Sequence, residues 1–494
     1  MLKKKPIIYL TLLSILAVLI SVSFVSAAVE VDTSELRDAV TVDAVREHQQ
    51  AFQDIADANG GTRASSTPGY DASVDYVVSQ LDTNYFDVTI QEFSFPYFEE
   101  LATPVMDQTA PNVVSYVPNV DFFTMEYSGS GDVTAEVVVP NNFGCDPADF
   151  DNADYTGKIA LILRGVCNFS VKAINAEAAG AVGAIVFNDE ARQVPFLGTL
   201  GGVVGTIPVV GTSYTIGQEL AGNNATVHLV VSTFVETRTT SNIIANTKEG
   251  RTDRVVVVGA HLDSVAEGPG IQDNGSGSAA ILEIAQEMAE LGIEPTNQVR
   301  FAWWGAEESG LLGSEYYVSQ LSARQIKNIA VNLNFDMVGS PNFVRFVYDG
   351  DGSATPLAGP NGSKNVESVF LEYFGEQGLA TEPTAFDGRS DYGPFIAVGI
   401  PAGGLFTGAE GIKTAGEAGI YGGTAGQAYD PCYHQACDTF DNISLEALDQ
   451  MSDAAAHAVL TFAETTSAVN GTDKGKGNGK WEDGMEHQGS HLKK

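Results

Sequence analysis

Two histidines, His261 and His434, and five acids, Asp263, Asp273, Glu307, Glu308 and Asp336, carry the chemistry this sequence offers. Three apolar runs read as strands and each leads into one of these groups. Residues 255–258 precede Gly259-Ala-His261-Leu-Asp263-Ser264, residues 299–304 precede Gly305-Ala-Glu307-Glu308-Ser309, and residues 329–335 precede Asp336-Met-Val338. Imidazole nitrogens and carboxylate oxygens converging on one face form the donor set that Zn²⁺ takes. Two metal ions need a shared carboxylate and further ligands each, and His261, Asp273, Glu308, Asp336 and His434 meet that count. Glu307 is then left beside a ligand. That is the place for a general base, which takes a proton from metal-activated water and gives it to a leaving amine. Neighbouring side chains on an extended strand point to opposite faces, so a turn must bring Glu307 and Glu308 to one site. Asp263, two residues past His261, is placed to hold the imidazole N–H and fix its tautomer. Taken singly, each acid has a plainer reading. Asp273-Asn-Gly-Ser-Gly can be a turn into a helix cap, and Glu307-Glu308 a first-turn acidic pair. Five elements in order, three at strand ends, exceed what capping accounts for.

The elements that must position these groups show two rhythms. Residues 33–60 and 68–82 have the spacing of amphipathic helices. A β-rich stretch opens near Asp87, with Val88, Ile90, Phe93 and Phe95 marking its period. From about 106 to 236 short Val- and Ile-rich strands alternate with Gly and Asn turns, with one helix at 171–179. After Arg238 the pattern becomes strand (255–258), helix (278–291), strand (299–304), helix (from 312), strand (329–335). Such alternation predicts an α/β fold with a mixed, largely parallel central sheet flanked by helices. The continuous apolar run at 255–258 fits a strand buried on both faces. The 106–236 block reads as a β-rich insertion, leaving 28–105 and 237–468 as one discontinuous domain.

The chain has 494 residues, 44% of them hydrophobic, which permits two or three domains with a sizeable core. Its 26 basic residues face 63 acids, a net charge of −37. Phosphate backbones repel such a surface, so nucleic-acid binding is excluded as a function class. Lys3, Lys4 and Lys5, an apolar run at 7–25 and the small residues Val25-Ser26-Ala27 read as a signal peptide (1–27) cleaved near Ala27. Its alternative is an uncleaved anchor, against which stands the lack of a charged stop-transfer patch. The expectation is therefore a secreted protein with no stable membrane anchor. Residues 469–494 are Gly-, Lys- and Asn-rich and read as a disordered tail. Four cysteines allow three connectivities. In an oxidising compartment local pairing, Cys145–Cys167 and Cys432–Cys437, is expected; a cysteine metal site is the alternative, weakened by the absence of a CxxC pair.

Several motifs carry a resemblance. Asn59-Gly-Gly-Thr-Arg63, His261-Leu-Asp263-Ser264, Asp273-Asn-Gly-Ser-Gly277, Trp304-Gly-Ala-Glu307-Glu308, Asn334-Phe-Asp336-Met, Arg389-Ser-Asp391-Tyr and Cys432-Tyr433-His434-Gln-Ala-Cys437-Asp438 resemble the secreted di-zinc aminopeptidases of the leucyl-aminopeptidase and aminopeptidase Y type. The resemblance implies the zinc exopeptidase fold and two Zn²⁺ per chain: one on His261 and Asp336, one on Glu308 and His434, with Asp273 bridging. It also implies Glu307 as base, Tyr433 as an oxyanion donor and Arg389 as a substrate-binding arginine, although Arg389 paired with Asp391 at the surface is an equal alternative. A local Cys432–Cys437 disulfide bracing the His434 loop matches as well. Within the insertion, Gly157-Lys-Ile-Ala-Leu-Ile-Leu-Arg164 to Phe169 and the run from Lys172 to Asn188 resemble the protease-associated domain, a module without catalysis of its own that shapes access to a neighbouring cleft.

The implied substrates are peptides with a free N-terminus, with apolar N-terminal residues such as Leu preferred, as in the leucyl-type relatives. Two other readings compete. A di-zinc carboxypeptidase or aminoacylase needs basic residues to grip a substrate carboxylate, and few basic residues surround the motifs. A non-catalytic binding protein is disfavoured because all five ligands and the base are present. Oligomeric state is not specified by the sequence.

Overall fold

The computed structural model describes residues 31–465 and Val469. The signal segment expected at 1–27 lies outside the described residues, as does the tail at 469–494 apart from Val469. The helix expected over 33–60 is two helices, Ser34–Ala39 and Val42–Ala58. They break at extended Val40, after which the Thr41 side chain accepts the Ala44 N–H and starts a new helix. Helix Pro68–Gln80 follows, capped by Thr67.

The central sheet is mixed and largely parallel. Its strands lie in the order Glu382–Thr384, Phe346–Tyr348, Ala402–Phe406, Ile329–Phe335, Arg251–His261, Asn297–Trp304, Thr226–Thr247. The four from Ala402–Phe406 to Asn297–Trp304 run parallel. Arg251–His261 is covered on both faces: Val256 and Val258 pack with Ile281 and Ala285 of helix Gly275–Glu290, while Val255 and Val257 pack with Tyr317 and Phe395. That two-sided burial is why the run 255–258 is continuously apolar. From Arg251–His261 the chain passes through Gly275–Glu290 to Asn297–Trp304 on one side. It then crosses to Ile329–Phe335 on the other side. Strand order reverses there, and open α/β sheets bind ligands outside the carboxyl ends of strands at such a point.

The insertion does not hang on flexible linkers. Strands Phe86–Ala110 and Thr226–Thr247 pair antiparallel along almost their whole lengths, Phe86 opposite Thr247 and Ala110 opposite Thr226. One end of this ribbon joins the central sheet, where residues 243–246 pair with 300–303. The other end pairs with Gly131–Val138 and so with a second sheet of Ile159–Leu163, Gly183–Phe187, Val209–Thr212 and Phe122–Thr124. Both boundaries expected for the insertion thus fall inside a strand. Helices Phe169–Ala178 and Tyr214–Gly222 complete this module, and a Cys145–Cys167 disulfide ties its loops. Among the described residues no helix is long and apolar enough to cross a membrane.

Candidate active site

Each strand end delivers its group by a tight turn. Leu262 N–H donates to the Trp304 carbonyl, joining the first two ends. Past Trp304 the chain turns through Ala306 at φ 54°, as Met337 does at φ 54° just past Asp336. His434 itself sits at φ 55°. Left-handed backbone at three non-glycine residues beside or within one cluster is the strain that functional sites hold against their surroundings. The turn at Ala306 meets the requirement set by the adjacent Glu307 and Glu308. The Asp263 carboxylate accepts the Glu307 N–H at 3.2 Å and the Glu308 N–H at 3.4 Å.

The tautomer role expected of Asp263 is performed differently. His261 Nδ1 lies 3.1 Å from the Asp263 main-chain carbonyl and 3.8 Å from its carboxylate. The carbonyl therefore takes the imidazole N–H, and the side chain shapes the glutamate turn instead.

Helix Gly275–Glu290 brings Asp273. Asn274 caps it by accepting the Gly277 N–H at 2.8 Å, accepts the Met337 N–H at 3.1 Å and donates to the Phe335 carbonyl at 2.9 Å. The segment does cap the helix, and the cap residue also ties Asp273 to the strand end bearing Asp336. Gly277 is needed for this approach: a Cβ there would meet the Phe335 carbonyl oxygen at 2.1 Å.

The five expected donors converge. His261 Nε2 lies 3.2 Å from Asp273 Oδ1 and 3.3 Å from Asp336 Oδ1. His434 Nε2 lies 3.2 Å from Asp273 Oδ2 and 3.1 Å from Glu308 Oε2. Asp273 thus turns one oxygen to a His261–Asp336 pair and the other to a His434–Glu308 pair. Glu307 joins His261 and Asp336 in a second buried cluster of donor atoms, all within 4.8 Å of one another. Glu308 Oε1 is buried without a hydrogen-bond partner. A buried carboxylate oxygen left unpaired, among imidazoles and three more acids, fits divalent cations and is costly without them.

The electrostatics agree. Burial pushes the Glu307 carboxyl well above the usual range, with His261 opposing and Glu308, Asp391 and Asp336 adding to the rise. Burial opposes charge on His434, yet Glu308 and Asp273 push it up to about 11. These acids call for positive charge beside them.

Tyr433 stacks on the His434 ring at 3.8 Å between centroids. Burial, with Asp273 and Glu308, holds its phenol well above its ordinary value, so it keeps its proton. Its oxygen accepts from Arg389 Nη2 at 3.2 Å. Arg389 is half-buried and paired with Glu410, at 2.8 and 3.3 Å, so the surface pairing with Asp391 does not occur; Asp391 is buried. The Cys432–Cys437 disulfide closes the loop bearing Tyr433 and His434. Around the donors lies a cleft of about 80 Å³ whose wall includes Leu311, Met337, Tyr348, Phe406 and Ala409.

Four positioning residues carried no assigned role in the sequence reading. Ser390 Oγ donates to Asp336 Oδ2 at 2.5 Å and accepts from Asn334 Nδ2 at 2.7 Å. Asp438 accepts the N–H groups of Gln272 and Asp273, both at 2.9 Å, and so clamps the bridging acid to the histidine loop. Glu410 holds Arg389. Arg63 is fully buried and donates to the carbonyls of Leu262, Pro269 and Gly270. All but Glu410 lie within or beside quoted motifs. What the sequence lacks is any sign of which groups they meet.

Two outcomes follow. Ser390→Ala should leave the fold intact but weaken zinc binding roughly 10- to 100-fold, because Asp336 loses the group that orients it; competition against a chelator of known affinity measures it. Arg63→Met takes the donor from the buried carbonyls of Leu262 and Pro269 and should lower unfolding free energy by at least about 2 kcal/mol, read from denaturant unfolding.

Comparison with known proteins places this geometry. The model of peptidase family M28 matches residues 242–459, and that of the PA domain matches residues 133–220. An aminopeptidase of Pseudomonas aeruginosa is 46% identical over 435 residues, covering 85% of this chain and 81% of the relative. Leucine aminopeptidase 2 of Arthroderma otae is 40% identical over 444 residues, covering 88% and 87%. The solved structure of BSAP, a zinc aminopeptidase from Bacillus subtilis, is 28% identical with a TM-score of 0.54, covering 85% of this chain and 94% of that one.

Proposed function

Because the chain belongs to peptidase family M28 and is a zinc aminopeptidase, we propose that it removes apolar residues, leucine among them, from the N-termini of peptides, using two zinc ions and Glu307 as general base. The observation that carries this reading is the donor cluster around Asp273 at the mouth of a cleft walled by Leu311, Met337, Tyr348, Phe406 and Ala409.

On this reading His261 and Asp336 would hold one ion and Glu308 and His434 the other, with Asp273, which turns one oxygen to each pair, serving both. Zinc held there would supply Lewis acidity toward the scissile carbonyl and lower the pKa of water. Glu307 accepts the proton of the attacking water and passes it to the leaving nitrogen. Tyr433 already accepts from Arg389, so its own hydrogen is free to point at the oxyanion. Arg389, gripped by Glu410, fixes Tyr433 in place. Glu307 and Asp336 face the substrate's ammonium. A carboxypeptidase would need a spare cation at the site. Among the described residues Arg389 is the one Lys or Arg in the cleft wall, and both its Nη atoms are on Glu410.

The catalytic domain takes residues 28–105 and 237–468, and the PA domain 106–236. The chain is exported with cleavage near Ala27, the compartment in which two disulfides form, and 469–494 is a tail. The test is a substrate panel with and without chelator. Leu-4-nitroanilide should be hydrolysed faster than the Glu or Lys analogue, and N-acetylated Leu-4-nitroanilide should be inert. Cleavage of only the blocked substrate would overturn the reading.

A further inference from the structure

A second, larger cavity of about 730 Å³ lies between the insertion and the central sheet, within the roughly 300–1,000 Å³ typical of ligand sites. Glu308 and His434 line both cavities, so the two meet at the donor cluster. The smaller cleft with its apolar wall takes the N-terminal side chain, so the larger cavity is where the chain beyond the scissile bond must run. Its lining includes Glu99 and Glu100 from the ribbon, Glu126 from the insertion and Glu267 from the loop after His261, and no Lys or Arg among the described residues. Among these acids stand Phe98 and Tyr127, packed edge to face at 5.8 Å between centroids, and Tyr97, whose ring is already covered by Arg238 at 3.3 Å. Zinc charge offsets the acids only at the cluster, and the whole chain carries −37.

We propose that this cavity is the downstream subsite of the enzyme and selects peptides bearing a Lys or Arg a few residues after the scissile bond. The inference rests on the aminopeptidase reading. Carboxylates and aromatic faces attract such cations, and an acidic side chain there meets like charge.

The test compares Leu-Gly-Gly-Lys-amide with Leu-Gly-Gly-Glu-amide on the full-length enzyme loaded with zinc, with Leu-4-nitroanilide, which has no downstream residues, run alongside. The expected result is a kcat/KM ratio of about 5-fold or more in favour of the lysine peptide at low salt. That ratio should shrink at 0.5 M NaCl, where the Debye length falls well below the roughly 10 Å of 0.1 M salt and separated charges are largely screened. In the triple variant Glu99→Gln, Glu100→Gln, Glu267→Gln the ratio between the same two peptides should fall towards one. Equal kcat/KM for the two peptides, with Leu-4-nitroanilide cleaved, overturns the proposal alone. Failure to cleave Leu-4-nitroanilide overturns the aminopeptidase reading beneath it. A ratio unchanged in the triple variant also overturns the proposal.

Discussion

Glu307→Gln should keep both zinc ions and the fold yet lose turnover by roughly 10²- to 10⁴-fold. The amide is isosteric, so the Glu307 N–H still reaches the Asp263 carboxylate and the turn through Ala306 is undisturbed. What disappears is the one group beside the donor set with no ligand to serve in the proposed arrangement. A carboxamide cannot accept a proton from water or return it to an amine. The loss should fall on kcat, with KM for Leu-4-nitroanilide within a few-fold of wild type. Zinc content measured on the same preparation separates this from loss of metal. Near-wild-type turnover in a zinc-replete variant would remove Glu307 from its role. By contrast Glu308→Gln should lose zinc together with activity, since Glu308 lies 3.1 Å from His434 Nε2. The contrast between neighbouring glutamates is the sharpest check on which one is the base.

Much of this site was legible because its chemistry and its architecture share one signal. A continuous apolar run such as 255–258 marks a strand buried on both faces, and the end of such a strand is where His261 stands. The convergence of His261, Asp273, Glu308, Asp336 and His434 follows from strand order, which periodicity foreshadows. Long-range pairing is a different matter. Phe86–Ala110 and Thr226–Thr247 are 25 and 22 residues long, and neither shows a period along its whole length, because burial changes as the ribbon leaves one sheet for the other. The expected boundaries at 105/106 and 236/237, drawn where the sequence takes on short strands and Gly and Asn turns, fall within these paired strands. Hydrogen bonds to backbone are equally silent. Nothing in the letters says that Asp263 would present its carbonyl to His261 and its carboxylate to two amides. Arg389 had two readings of equal weight, and its partner proved to be Glu410, 21 residues away.

Removal of zinc by exhaustive dialysis against a chelator should abolish activity, and two equivalents of zinc per chain should restore it. The same treatment should lower thermal stability by several degrees, because an ion bound only to the folded chain at a thousandfold excess over its Kd contributes about 4 kcal/mol. The physical reason lies in the balance of charge. Asp273, Glu307, Glu308 and Asp336 are buried together, and two imidazoles cannot match four carboxylates even when both are protonated. Single substitutions then separate the ions. His434→Ala removes the imidazole beside Glu308 and the second oxygen of Asp273, leaves the His261–Asp336 side intact, and should leave about one zinc bound. Asp273→Asn weakens the carboxylate that turns one oxygen to each histidine, so it should reduce both occupancies and cost more activity than loss of either histidine. Full activity after complete chelation would deny zinc any part in the reaction. One equivalent of zinc in both wild type and His434→Ala would confine the metal to the His261–Asp336 side and leave Glu308 and His434 to serve substrate rather than metal.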